Sequence, residues 1–204
     1  MKLQKHLEQI IQKHLEENKI LELFENYGKY FTKDQITMFL DEKYSKWIYE
    51  LYKNIKEIDN EHIDLILKKN LEVDLFLMHC FNKFKEENIT YFLQNVDKLE
   101  LVCFFLKRLL YAKNVLLDNY HVDLLINFMD KELKKENEVS FDLFVAIKWF
   151  LSLNKQIKNV GDNQIKKMFN LLESIFSFRW HDEKFKKLES IEIFKSYYEN
   201  FGKY

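Results

Sequence analysis

Apolar residues recur at intervals of three and four along most of this chain, and this spacing constrains the fold more than any other feature. In the first segment they fall at Leu3, Leu7, Ile10, Ile11 and Leu15, with charged residues between them. This pattern is typical of a helix with one apolar face. No window of useful length alternates with period two, and β-branched residues are scattered, so no strand is predicted. The sequence therefore predicts an all-α fold.

Short polar residues mark where the predicted helices begin. The chain has no proline and three glycines, so Ser, Thr, Asp and Asn mark the helix starts. The first helix is expected to run to about Asn26. Thr32 and Gln35 have the spacing of a capping box, which predicts a second helix through Ile55. About eight to ten helices in stacked antiparallel hairpins are expected, as a solenoid-like array or an irregular bundle, in a single domain over residues 1–204.

Three segments are apolar almost all round: Val73 to Phe84, Leu99 to Tyr111 and Phe141 to Leu153. A helix without a polar face must be covered on several sides. We therefore expect these segments to form the central helices, with the last two nearly inaccessible to solvent. The cover could come from flanking helices of the same chain or from another subunit, and the sequence leaves both open.

One nine-residue pattern occurs twice. Residues 59–67 read DNEHIDLIL and residues 118–126 read DNYHVDLLI, so Asp, Asn, His, Asp and Leu recur in register. A looser third copy begins at Asp162. We call the match between residues 59–67 and 118–126 the echo. We interpret it as support for repeated hairpins, which resemble HEAT or armadillo-type repeats at the level of architecture alone.

The echo places a carboxylate and an imidazole on one helical face, at Asp59 with His62 and at Asp118 with His121. Helical di-iron proteins carry similar Glu-x-x-His pairs on two helices and a further inward Glu on each of two others. If the two Asp-x-x-His pairs were metal ligands of this kind, the chain would be a helical-bundle metalloenzyme. Asp is a preferred helix cap, however, and no further Glu stands out on an apolar face. We therefore expect two caps, two half-buried histidines bonded to backbone groups, and neither a metal nor another cofactor.

Neither cysteine lies in a zinc or redox motif. Cys80 follows His79, and Cys103 lies in an equally apolar segment, but no Gly-rich turn or oxyanion donor accompanies either thiol. Core packing in a reducing compartment is the expected role of both. No catalytic residue is predicted, and we expect that the protein is not an enzyme.

The best candidate contact site lies near the C-terminus. Residues 176–187 read FSFRWHDEKFKK, which mixes aromatic with basic side chains, and residues 155–204 carry ten basic side chains against seven acidic ones. Aromatic rings stack on bases or fill protein pockets, while cations meet phosphate or carboxylate. The candidate partner-binding residues are Arg179, Trp180, His181, Lys184, Lys186, Lys187, Phe201, Lys203 and Tyr204.

Charge narrows the possible functions. The formal net charge of -1 argues against binding to nucleic acid by bulk charge, and no DNA partner is expected. The N-terminal residues are charged throughout, so we expect no secretory signal, no membrane partner and a cytoplasmic location. The sequence favours a non-enzymatic helical interaction protein that acts as a subunit or bound factor of a larger assembly with protein partners. Two alternatives stay open: a ribosome- or RNA-associated factor that occupies or blocks a functional RNA site, and the metalloenzyme.

Overall fold

The fold is all-α, as the sequence predicts. The computed structural model describes residues 2–112, 115–135, 140–153, 157 and 161–177. These residues form eleven α-helices, three short 3-10 helices and no strand, and none of these helices is both long and apolar enough to cross a bilayer. The α-helices are α1 (Lys2–Glu16), α2 (Ile20–Tyr27), α3 (Lys33–Phe39), α4 (Ile48–Asn54), α5 (Asn60–Lys69), α6 (Val73–Cys80), α7 (Glu86–Asn95), α8 (Leu99–Tyr111), α9 (Asn119–Lys135), α10 (Phe141–Leu151) and α11 (Asp162–Ser177).

The chain divides into two compact units, Met1–Phe92 and Leu93–Tyr204. In the first unit, helices that are two apart in the sequence pack together: α2 against α4, α4 against α6, and α3 against α5. In the second unit, α8 packs against α10, and α9 packs against both α10 and α11. The regular stacking of hairpins and the single domain over residues 1–204 stay predictions.

The core of the first unit is built largely from aromatic side chains. Phe24, Phe39 and Phe76 are fully buried, and the rings of Phe24 and Phe39 meet edge to face with centroids 4.9 Å apart. Tyr52 is also fully buried, and its hydroxyl donates a 2.6 Å hydrogen bond to the carbonyl oxygen of Leu71. Because burial removes this hydroxyl from water, the bond satisfies the polar atom of the side chain and fixes α4 next to the start of α6.

Two of the predicted long helices are divided in the structure. The first ends at Glu16 because Asn18 adopts the left-handed conformation, with φ of 55°, and α2 then begins a separate helix. Thr32 and Gln35 form the predicted capping box, but the helix that they start ends at Phe39. A 3-10 helix and then α4 follow. The apolar spacing continues across both breaks, so the spacing alone did not locate them.

Helix α8 is less completely covered than the sequence predicts. Phe105 and Phe144 are buried, as expected. Phe104 and Tyr111 remain 39% and 76% exposed, and they lie about two turns apart on one face of α8. The expectation that α8 is nearly inaccessible to solvent is therefore wrong for this face, because α10 packs against α8 without covering it.

Candidate functional site

The two Asp-x-x-His pairs form helix caps, as the sequence predicts. Asp59 Oδ1 accepts a 3.0 Å hydrogen bond from the backbone N–H of His62, and the Asp59 N–H donates a 3.3 Å bond back to His62 Nδ1. Asp118 and His121 repeat both bonds, at 3.0 and 3.4 Å, at the start of α9. Histidine thus takes the place that Glu or Gln holds in a capping box.

Both imidazole rings are more deeply buried than the expected half-burial, since His62 is 2% exposed and His121 is 1% exposed. His62 Nε2 lies 3.1 Å from the carbonyl oxygen of Lys33, which can only accept, so Nε2 donates this bond. Nδ1 accepts from the Asp59 N–H, and both ring nitrogens have backbone partners. In the described part of the chain, no three His, Cys, Asp or Glu side chains are grouped so that they could hold a metal ion.

The buried polar residues of the described chain share one position. Each is the third residue of an α-helix: His62, Asn88, His121 and Gln164. Asn88 Nδ2 donates a 2.8 Å bond to Asn60 Oδ1 in α5, and Gln164 Nε2 donates a 3.0 Å bond to Asp123 Oδ2 in α9. Asn88 and Gln164, like His62, therefore bond the first turn of one helix to an earlier helix. The echo of residues 59–67 and 118–126 marks two of these positions.

Both thiols are packing groups, as the sequence predicts. Burial raises the pKa of Cys80 and of Cys103 to about 12, and for Cys103 the charge of Asp142 adds to the effect. Each Sγ donates a 3.3 Å bond to a backbone carbonyl oxygen, that of Tyr52 for Cys80 and that of Asp142 for Cys103. Because the thiolate is the nucleophilic form, a thiol with so high a pKa is unreactive near neutral pH.

Two clefts on the first unit are lined by residues that the structure describes. The larger, of about 610 Å³, is lined by apolar side chains of α1, two tyrosines and His6, and its described lining contains neither a carboxylate nor a thiol. The smaller, of about 320 Å³, mixes four lysines with three carboxylates. One of these lysines, Lys33, places Nζ 3.1 Å from Asp59 Oδ2 and 2.9 Å from Glu61 Oε2. This cleft therefore lacks the single-sign charge that a polyanion needs.

The clearest surface for a partner is a groove of about 420 Å³ in the second unit, between α8 and α10. Its lining residues are Glu100, Cys103, Phe104, Lys107, Asp142, Val145 and Trp149. The three charged side chains are exposed, and Val145 and Trp149 are half-buried. Exposed apolar side chains bordered by charges are the composition of a protein-binding surface. This groove is therefore our candidate functional site.

Local sequence builds the walls of the groove. Ser140 caps α10, since its Oγ accepts a 3.2 Å bond from the N–H of Leu143. On α8, spacings of three and four place Glu100, Phe104 and Lys107 on one face, so a polar face interrupts the apolar run. The sequence prediction missed this surface because it treated α8 as apolar all round. The two charges at helical spacing were the signal that could have revealed it.

The candidate contact residues near the C-terminus lie outside the described residues: Arg179, Trp180, His181, Lys184, Lys186, Lys187, Phe201, Lys203 and Tyr204. Their role in partner binding stays a prediction. Comparison with protein families, with curated proteins and with solved structures finds no match to this chain.

Proposed function

We propose that this protein is a non-enzymatic helical interaction protein that acts as a subunit or bound factor of a larger assembly, with the groove between α8 and α10 as its docking surface. The observation that carries the proposal is the exposed aromatic face of α8, formed by Phe104 and Tyr111. Covering apolar surface is favourable by about 25 cal/mol for each Å² removed from water. Aromatic side chains in such a position often dominate the binding energy of protein interfaces.

The chemistry of the groove supports binding. Catalysis by a nucleophile or a general base depends on a group that its surroundings activate. Burial instead raises the pKa of the Cys103 thiol to about 12, and the side chains of Glu100, Lys107 and Asp142 are exposed to water. The groove offers apolar contact area between opposite charges, which favours specific docking of another protein.

Partner capture with a tagged protein in cells of the native organism tests the proposal. Phe104→Asp places a charge in the groove, while Met78→Asp makes the same change at a residue of similar exposure, 46%, in α6. We expect the wild type and Met78→Asp to recover the same partners. Phe104→Asp should reduce recovery about tenfold or more, as measured by quantitative mass spectrometry. Circular dichroism checks that both variants fold, and equal recovery with both would contradict the proposal.

The candidate contact residues near the C-terminus are an alternative location for the docking surface. Changing Arg179, Lys186 and Lys187 together to Glu, or ending the chain after Tyr198, should weaken association if the contact lies there. Loss of partners with these variants and not with Phe104→Asp would move the docking surface out of the groove.

An RNA-associated factor is the second candidate function. It is favoured by lysine ammonium groups placed over aromatic rings in residues 43–53, which do not line the mixed-charge cleft. Lys46 Nζ lies 3.9 Å from the Trp47 ring centroid, and Lys43 Nζ lies 4.9 Å from that of Tyr44. Rings and cations together contact the unpaired bases and phosphates of RNA, including those in the loops of a structured RNA. Binding of a structured RNA with a log–log salt slope of about -2 to -4 would support this function over the first.

A further inference from the structure

The charges along the groove have a regular order on α8. Glu100 and Lys107 lie about two turns apart on the same face, and Phe104 lies near the midpoint between them. Both charged side chains are exposed. Among the residues that the structure describes, neither forms an ion pair with another side chain. The face therefore presents a negative end, an aromatic centre and a positive end.

This order is complementary to itself. When two copies of α8 pack antiparallel about a twofold axis, Glu100 of each copy faces Lys107 of the other, so the contact contains two attractive pairs. Phe104 lies close to the axis and meets Phe104 of the second copy. Parallel packing would instead place like charges together. An interface that uses the same patch on both partners is the usual arrangement in homodimers.

Residues from α10 complete the lining of the groove. Asp142 lines the same groove and adds a second carboxylate to it. Val145 and Trp149 are half-buried in the groove wall and offer apolar area beside Phe104. The two helices thus supply both the charge pairing and the apolar contact that association needs.

We propose that the groove between α8 and α10 is a self-association surface whose occupant is α8 of a second copy of this chain, packed antiparallel. The inference rests on the proposed function, because it names the partner that the docking groove takes. From Glu100 to Tyr111, α8 rises about 16 Å. Stable complexes bury about 800 Å² on each partner, and a face of this length on one helix is modest by that standard. We therefore expect a reversible dimer.

Sedimentation equilibrium of the purified full chain, over about 5 to 500 µM, measures the association. We expect the average mass to rise with concentration from 25.2 kDa toward twice that value. The antiparallel dimer has two contacts between position 100 of one copy and position 107 of the other. Lys107→Glu alone, or Glu100→Lys alone, places like charges at both of these contacts. Each should raise the dissociation constant about tenfold or more.

Mixing the Lys107→Glu and Glu100→Lys variants is the decisive experiment. In the mixed dimer, Glu100 of the first variant faces Lys107 of the second, and the two substituted side chains also attract each other. Association should therefore return to within about threefold of the wild type. Lys131→Glu, at an exposed lysine of α9, changes the net charge equally and should leave the dissociation constant unchanged.

The outcomes separate this inference from the proposed function. A chain that stays monomeric at every concentration, a dimer insensitive to both single variants, or a mixture that fails to recover would each overturn self-association through α8. If the chain is monomeric and Phe104→Asp still abolishes capture of other proteins, the proposed function stands while this inference fails. If Phe104→Asp leaves capture unchanged, the proposed function fails whatever the measured mass.

Discussion

The buried imidazole of His62 shows how a single residue links two helices. Its Nδ1 accepts from the N–H of Asp59, and its Nε2 donates to the carbonyl of Lys33 in α3. The ring therefore satisfies one backbone donor at the start of α5 and one acceptor on a neighbouring helix. Unpaired polar groups are costly when buried, so these two bonds are what permit a polar ring at this depth.

The first prediction concerns the caps. Asp59→Ala removes the acceptor for the His62 N–H, so it should lower the free energy of unfolding by about 0.5–2 kcal/mol. Asp59→Asn keeps an acceptor and should be nearly neutral. Urea denaturation followed by circular dichroism measures both, and the same pair of changes at Asp118 repeats the test in the second unit. A neutral Ala variant would contradict the capping role, and stoichiometric metal lost in His62→Ala would favour the metalloenzyme.

The second prediction concerns pH. Burial by itself would raise the pKa of Asp59, but hydrogen bonds from His62 and Lys33 together hold the pKa below its ordinary value of 3.8. A carboxyl group with a lowered folded pKa stabilises the fold above its unfolded pKa, and this stability is lost as the pH falls through the folded pKa. The unfolding free energy of Asp59→Asn should therefore fall less steeply than that of the wild type between about pH 5 and 2. Equal slopes in urea titrations would show that Asp59 does not contribute.

At the scale of elements, two adjacent phenylalanines of α8 differ in burial. Phe105 is fully buried, whereas Phe104 is 39% exposed in the groove. Phe105→Ala should therefore cost about 3–5 kcal/mol of unfolding free energy, because it leaves a cavity in the core. Phe104→Ala should cost no more than about 1.5 kcal/mol, because part of its ring is already in water. Urea denaturation of the two variants side by side tests the orientation of α8, and equal losses would contradict it.

Phe144 provides the matching test on α10. It is buried, and Phe144→Ala should destabilise the chain by an amount similar to Phe105→Ala, about 3–5 kcal/mol. If the loss at Phe144 resembled that at Phe104 instead, α10 would not present this side chain to the core. The two buried phenylalanines and the exposed one thus define which sides of the two helices are covered.

At the scale of the whole molecule, the division into two units yields the fourth prediction. The first unit has its own aromatic core, which includes Phe24, Tyr52 and Phe76. A chain of residues 1–98 keeps this unit and all of α7. It should be helical and unfold cooperatively on heating, as measured by circular dichroism. An unfolded fragment would show that the first unit depends on the rest of the chain and would favour the single-domain prediction.

Sequence and structure agree best where interactions are local. The capping box at Thr32 and the caps at Asp59, Asp118 and Ser140 were predictable, because each depends on residues within one helical turn. The break at Asn18 was not, since its left-handed backbone is compatible with the apolar spacing on both sides. The depth of His62 was also missed, because its second partner, Lys33, is distant in the sequence.

By itself, the sequence determined that this chain is helical, that its thiols are core residues and that its Asp-x-x-His pairs are caps. These features follow from periodicity, residue preference and bonds within one turn. Only the tertiary structure decided which face of α8 stays in water. Phe104 and Phe105 belong to one apolar run, and their difference arises from where α10 packs. Burial is a property of the neighbours that surround a side chain, so the exposed groove could be seen only once the helices were assembled.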